Sequence, residues 1–175
     1  MSTASRLTEV LLKARRHPIP FDDTARLVLF SDCHRGDNSW ADDFARNHDL
    51  YLFALKHYYQ NGFIYFELGD GDELYSNDFF ADIRDAHPHV FQLLKRFHDA
   101  KPTRLYMLYG NHDIQRADPQ IVARTLGASY YDRSTGRRVT LFKGIHVYEG
   151  LVLKHQPSGG EILSLIHISE PTRPY

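Results

Sequence analysis

Phe63-Ile64-Tyr65-Phe66-Glu67-Leu68 runs directly into Gly69-Asp70-Gly71-Asp72-Glu73. The apolar run has the length of a buried strand and is too short for a helix. The Gly-Asp-Gly that follows ends it and opens a loop. The same pattern recurs on both sides. Leu27-Val28-Leu29-Phe30 leads into Ser31-Asp32-Cys33-His34, and Arg104-Leu105-Tyr106-Met107-Leu108-Tyr109 leads into Gly110-Asn111-His112-Asp113. Between the first two runs, from about Ala41 to Asn61, helical spacing puts Ala41, Phe44, Ala45, His48, Leu52, Leu55 and Tyr59 on one face, with Gly62 as the stop. Between the second and third, a short helix is predicted around Phe79 to Asp85. A longer one is opened by Pro88 and carries Val90, Phe91, Leu94 and Phe97. Strand, loop and helix thus alternate three times, which predicts an α/β fold with parallel strands and helical crossovers.

The flanks differ in texture. Residues near Thr8 to Arg16 have the pattern of a short amphipathic helix that Pro18 and Pro20 end, so residues 1–25 read as helix and linker ahead of a domain spanning 26–162. Asp118-Pro119 starts a further helix and Gly127 stops it. From Tyr130 onward come short β-like pieces, Arg138–Phe142, Ile145–Glu149 and Leu151–Lys154, punctuated by Gly136, Gly144 and Gly150. These read as antiparallel or mixed strands. From Leu163 the text changes again. Leu163-Ser164-Leu165-Ile166-His167-Ile168-Ser169-Glu170-Pro171-Thr172-Arg173 matches the translation of a transposase-type sequencing adapter, so 163–175 is expected to be a non-native tail. His167 is accordingly not expected to act as a ligand.

The chain has 175 residues, 42% of them hydrophobic, which is one domain with enough apolar surface for a core. Its 21 basic and 22 acidic residues leave a net charge of −1, so no bulk attraction to nucleic acid or an anionic membrane follows. No apolar run approaches membrane-spanning length, and Val10-Leu11-Leu12 is flanked at once by Lys13, Arg15 and Arg16. Cys33 is the single cysteine, which forbids an internal disulfide and fits a cytoplasmic location.

Ligands of open α/β sheets gather at the carboxyl ends of parallel strands. The three loops should therefore meet. Extended period-two geometry would put Asp32 and His34 on one side and Cys33, as a small half-buried filler, on the other. A carboxylate and an imidazole suit Mn, Fe or Zn. Alone, Asp-x-His is also an ordinary loop pair. Asp70 can bridge two cations, and the glycine before it lets the backbone approach a metal or ligand closely. Asp72 and Glu73 are acceptors that could orient ligands, or solvated acids; Glu73 is the better candidate for orienting. Asn111 can offer an amide oxygen to a cation. His112 can stabilise a phosphoryl oxygen or protonate a departing one, with Asp113 orienting it. The other histidines, among them His87 and His155, read as surface or half-buried. Tyr75 to Phe80 could line a cleft.

The three motifs in this order resemble those of the calcineurin-like metallophosphoesterases. The resemblance runs from about Leu27 to Asp113 and more loosely to Ile162. It implies an α-β-β-α four-layer sandwich with parallel-rich mixed sheets, of which this chain holds the first part. It also implies two divalent cations, Mn first, with Fe or Zn as alternatives. Asp32, His34 and Asp70 would hold one and Asp70 and Asn111 the other, with His112 catalytic. The implied activity is hydrolysis of a small phosphorylated substrate, mono- or diester. Ser31-Asp32-Cys33-His34-Arg35-Gly36-Asp37 is also similar to the bacterial branch that includes the UDP-diacylglucosamine hydrolases, but His112 stands where those typically carry arginine, so their lipid substrate is not carried over. The two later histidine motifs of the family are missing, and the chain as written is expected to be inactive or nearly so. A nuclease of the same superfamily and a non-catalytic scaffold are the rival readings.

Overall fold

A computed structural model describes residues 3–133 and 135–165. The elements are α1 (Thr3–Ala14), β1 (Ile19–Phe21), β2 (Leu27–Phe30), α2 (His48–Gln60), β3 (Ile64–Leu68), α3 (Phe80–Ala86), α4 (Pro88–Asp99), β4 (Leu105–Leu108), α5 (Pro119–Thr125), β5 (Ser129–Asp132), β6 (Arg137–Thr140), β7 (Val147–Tyr148), β8 (Gly150–His155) and β9 (Glu161–Leu165). The fold is mixed α/β with parallel-rich sheets. The main sheet has the order β2-β3-β4-β7, and every pairing in it is parallel. A second sheet has the order β1-β8-β9, with β1 parallel and β9 antiparallel to β8. β5 and β6 form a separate antiparallel hairpin.

The main sheet is apolar on both faces, and strand alternation sorts its side chains. Val28, Tyr65, Leu105, Met107 and Val147 face a large cluster built with α2, α3, α4 and α5. Leu27, Phe66, Leu68, Leu108 and Tyr148 face the second sheet, where they meet Ile19, Leu151 and Leu153. α4 fits its predicted stripe: Val90, Phe91, Leu94 and Phe97 are buried, and Pro88 occupies its first turn. Asp118 caps α5, its side chain accepting from Gln120 N at 2.8 Å.

Four expectations change. The helix predicted from Ala41 to Asn61 is split: Asp43–Asn47 is a 3-10 turn, and α2 begins only at His48. Asp42 causes the break. Its carboxylate caps Ala45 N at 3.2 Å and also binds Asn38 N at 2.8 Å and His87 Nε2 at 2.9 Å. Gly62, with φ of +77°, ends α2 as expected. Second, the linker contains β1, which pairs with Leu153–His155 despite Pro20 because it is a sheet edge. Third, the piece read as Ile145–Glu149 is paired only at Val147–Tyr148, and parallel to β4. Fourth, His87 is buried at 2% exposure against Asp42. The start of the suspected tail, Leu163 to Leu165, continues β9 beside β8. His167 lies outside the described residues. Among the described residues, no helix is long and apolar enough to cross a membrane.

Candidate metal centre at the strand ends

The loops after β2, β3 and β4 meet. Beyond the strands, residues 32–35 run along residues 69–73: Asp32 N bonds Gly69 O at 3.3 Å, His34 N bonds Asp70 O at 2.9 Å, and Arg35 N bonds Gly71 O at 3.0 Å. Asp32, His34 and Asp70 have φ of 52°, 48° and 49°. This left-handed conformation is costly for residues other than glycine and recurs at functional sites. It corrects the period-two argument. Asp32 and His34 do face the same place, with Cys33 packed against the helical cluster, but through left-handed turns and not through extended alternation. Burial pushes the Cys33 thiol up to about 12.

The glycines at the strand ends bring the two loops against each other. A Cβ at Gly69 would lie 2.8 Å from Gly110 N, and one at Gly110 would lie 2.2 Å from Asp70 Oδ1. The missing side chains allow two loops to touch each other. Asp70, 3% exposed, is thereby pressed against the Gly110 loop and accepts His112 N–H at Oδ1 (2.7 Å).

Asp32, His34 and Asp70 offer ligand atoms all within 4.8 Å of one another, which fits a cation with carboxylate and imidazole donors. His34 Nε2 faces Asp32 Oδ1 at 3.9 Å, while its Nδ1 meets Glu73 Oε2 at 2.8 Å. A carboxylate on the far ring nitrogen is the usual way a metal-ligating histidine is aimed. Glu73 also takes His112 Nδ1, at 2.9 Å from Oε1 and 2.8 Å from Oε2. Burial works against the Glu73 charge, but the hydrogen bonds from His112 and His34 outweigh it and hold the carboxyl below its ordinary range. Asn111 lies half-buried between Gly110 and His112.

Asp113 does not orient His112; Glu73 occupies that position. Asp113 is buried and turns inward, accepting Gly110 N at 2.6 Å and Asp70 N at 3.4 Å, with Arg116 Nη1 at 3.0 Å. Burial pushes its carboxyl up, and Arg116 opposes this only in part. Asp72 is not a solvated acid. It is wholly buried, bonded to Arg35 Nε at 2.6 Å and to Arg116. Burial disfavours its charge, yet Arg35 and Arg116 outweigh that and keep the carboxyl below its ordinary value.

Sequence reasoning passed over three members of this buried network. Arg35 grips Glu67 with two bonds of 2.7 Å, and Glu67 projects from β3 beside Tyr65. Arg116 completes the chain Glu67–Arg35–Asp72–Arg116–Asp113. The available signal was Glu67 itself, an acid inside an apolar strand, which requires a buried partner. The network links all three loops beneath the candidate ligands.

Beside His34, Glu73 and His112 lies an open cleft of ≈450 Å³, lined also by Asp42 and Asn77; Asp32 and Asp70 are not among its lining residues. Of the stretch expected to line a cleft, Ser76 and Asn77 do so, while Tyr75 sets its ring 5.7 Å from that of His112. His155 lies elsewhere, at the end of β8, bonded to Asp23 and Ser158. No family model matches the chain, and no curated protein or solved structure matches it either.

Proposed function

We propose that the cleft is the site of a two-cation hydrolysis of small phosphate esters. The observation that carries this reading is the convergence of Asp32, His34 and Asp70, three loop residues from two strand ends, to within 4.8 Å. Asp70 and Asn111 are the donors proposed for the second cation. Three oxygen donors and one imidazole suit Mn best, with Fe or Zn as alternatives. When bound, the cations neutralise phosphoryl charge and activate water.

The chain's own residues do the rest. Glu73 accepts Nδ1–H of His34 and so turns Nε2 toward Asp32. It accepts Nδ1–H of His112 as well, which points His112 Nε2 away from Glu73 for a phosphoryl or departing oxygen. Asp113 acts on position alone, fixing the Gly110 and Asp70 backbone. Two facing sheets with helices packed on the larger one are compatible with a four-layer sandwich, which we propose as the architecture.

Four protein ligands are few for two cations, so the chain as it stands is expected to hold one Mn firmly and the second weakly, with slow turnover or none. Manganese titration of the metal-free protein tests this, together with assays on p-nitrophenyl phosphate and its bis ester. One tight Mn per chain, lost in Asp70→Asn and Asp32→Asn, is the expected result. Absence of Mn binding, or binding indifferent to both substitutions, would overturn the reading.

A further inference from the structure

His34 has one ring and two competing neighbours. Its Nδ1 lies 2.8 Å from Glu73 Oε2, and its Nε2 lies 3.9 Å from Asp32 Oδ1. His112 brings a second Nδ1 to the same Glu73 oxygen, also at 2.8 Å. Two imidazole nitrogens and a carboxylate around one point are a zinc donor set with an open fourth position. The three ligand atoms lie within 4.8 Å of one another, and tetrahedral zinc ligands sit about 3.3 Å apart, so small side-chain rotations close the set. The fourth position faces the cleft, which all three residues line. The main chain under Glu73 is fixed, its N–H bonding Arg35 O at 2.9 Å and its carbonyl accepting Asn77 Nδ2 at 2.7 Å.

We propose that His34, Glu73 and His112 form a second, nitrogen-rich cation site that selects zinc, and that occupying it empties the oxygen-rich set of Asp32, His34 and Asp70. The exclusion comes from a single proton. A neutral imidazole has one N–H and one lone pair. With a cation between Asp32 and Asp70, His34 spends its Nε2 lone pair there and keeps the proton on Nδ1 for Glu73. With zinc on Nδ1, the proton moves to Nε2 and points at the position the other cation needs. No atom is gained or lost; the ring changes tautomer, and His112 makes the same exchange. Donor softness sorts the metals, since two imidazoles favour zinc and a carboxylate-rich set favours manganese. Zinc thereby antagonises manganese while sharing only one residue with it. The inference rests on side-chain geometry and holds whether or not the cleft hydrolyses phosphate esters.

Calorimetric titration of the metal-free 175-residue chain with zinc chloride, alone and with manganese present, tests it. One zinc equivalent is expected. Loss of a mere orienting partner costs about 10–100-fold in metal affinity, so His112→Ala should weaken zinc by at least that, and Asp32→Asn should leave zinc unchanged. Manganese should respond in the opposite pattern, and zinc should raise its apparent Kd. Cobalt(II) at the zinc position should give intense tetrahedral d–d absorption that disappears in His112→Ala. His112 is half-exposed, so the variant should keep its circular dichroism; His112→Phe, similar in size and without donors, serves as the second variant. Zinc binding weakened equally by Asp32→Asn, zinc binding indifferent to both His112 variants, or zinc and manganese bound together without competition would each overturn the proposal.

Discussion

Arg35 is a large cation with no exposure, held by Glu67 and Asp72 on either side. Breaking a buried pair from one side leaves the other charges uncompensated and costs about 3–5 kcal/mol. Arg35→Met should therefore lower the unfolding free energy obtained from urea titration by an amount of that order. Arg35→Lys should recover little, because a single ammonium cannot make both bonds to Glu67 and the third to Asp72. Full stability in either variant would show that the network is dispensable. At this scale position was legible where a polar motif follows a strand directly: Asp32, His34, Asp70 and His112 lie in the loops beyond β2, β3 and β4, and those loops meet. It was not legible where partners come from distant segments. Arg35 meets Glu67 across 32 positions and Asp72 across 37, and Arg116 meets Asp72 across 44. Nothing local announces such pairs except a misplaced charge such as Glu67.

Asp42 and His87 tie the cleft-lining loop to the start of α4. Burial pushes the His87 pKa down, with the bond to Asp42 opposing and His48 and Arg35 adding to the shift. The folded pKa therefore lies below the unfolded value of about 6.5, and the unfolded chain takes the proton more readily. Stability from this residue is complete above about pH 6.5 and is lost as pH falls through the folded pKa. Urea midpoints should drop between about pH 7.5 and about pH 5.5. His87→Gln, which keeps a donor for Asp42, should flatten that slope; an unchanged slope would remove His87 as its source. The elements themselves were readable where periodicity runs long, as in α4, or where a strand is wholly apolar, as in β2. β1 escaped because three residues with a proline carry no pattern of their own and pair only through β8. The 3-10 start before α2 escaped because Asp42 is claimed by His87, a contact made 45 positions away.

Across the whole molecule, the two sheets do not match in extent. Leu29 shares a face of β2 with Leu27, the face turned to the second sheet, yet it stays 46% exposed. β2 is also the outer strand of the main sheet. An apolar side chain on an unpaired strand edge invites pairing between molecules. Leu29→Lys should reduce self-association in light scattering at little cost to the thermal midpoint; equal scattering would place the sticky surface elsewhere. Fold class was legible at this scale, since three strand–loop–helix passages leave few alternatives to a parallel sheet. Of the second sheet, β8 was legible as Leu151–Lys154, whereas β1 was not, because it depends on β8 for its existence as a strand.

The contact between Gly69 and Gly110 sets a limit on engineering. A Cβ on Gly69 would stand 2.8 Å from Gly110 N, and one on Gly110 would strike Asp70 at 2.2 Å. Each loop is shaped to leave room for the other. A protein engineer who wished to move this centre onto another scaffold could not graft the aspartate turn and the histidine turn as separate cassettes. The smallest portable part is β2, β3 and β4 with all three of their loops, since Asp32 and His34 come from the first, carried together at their native spacing.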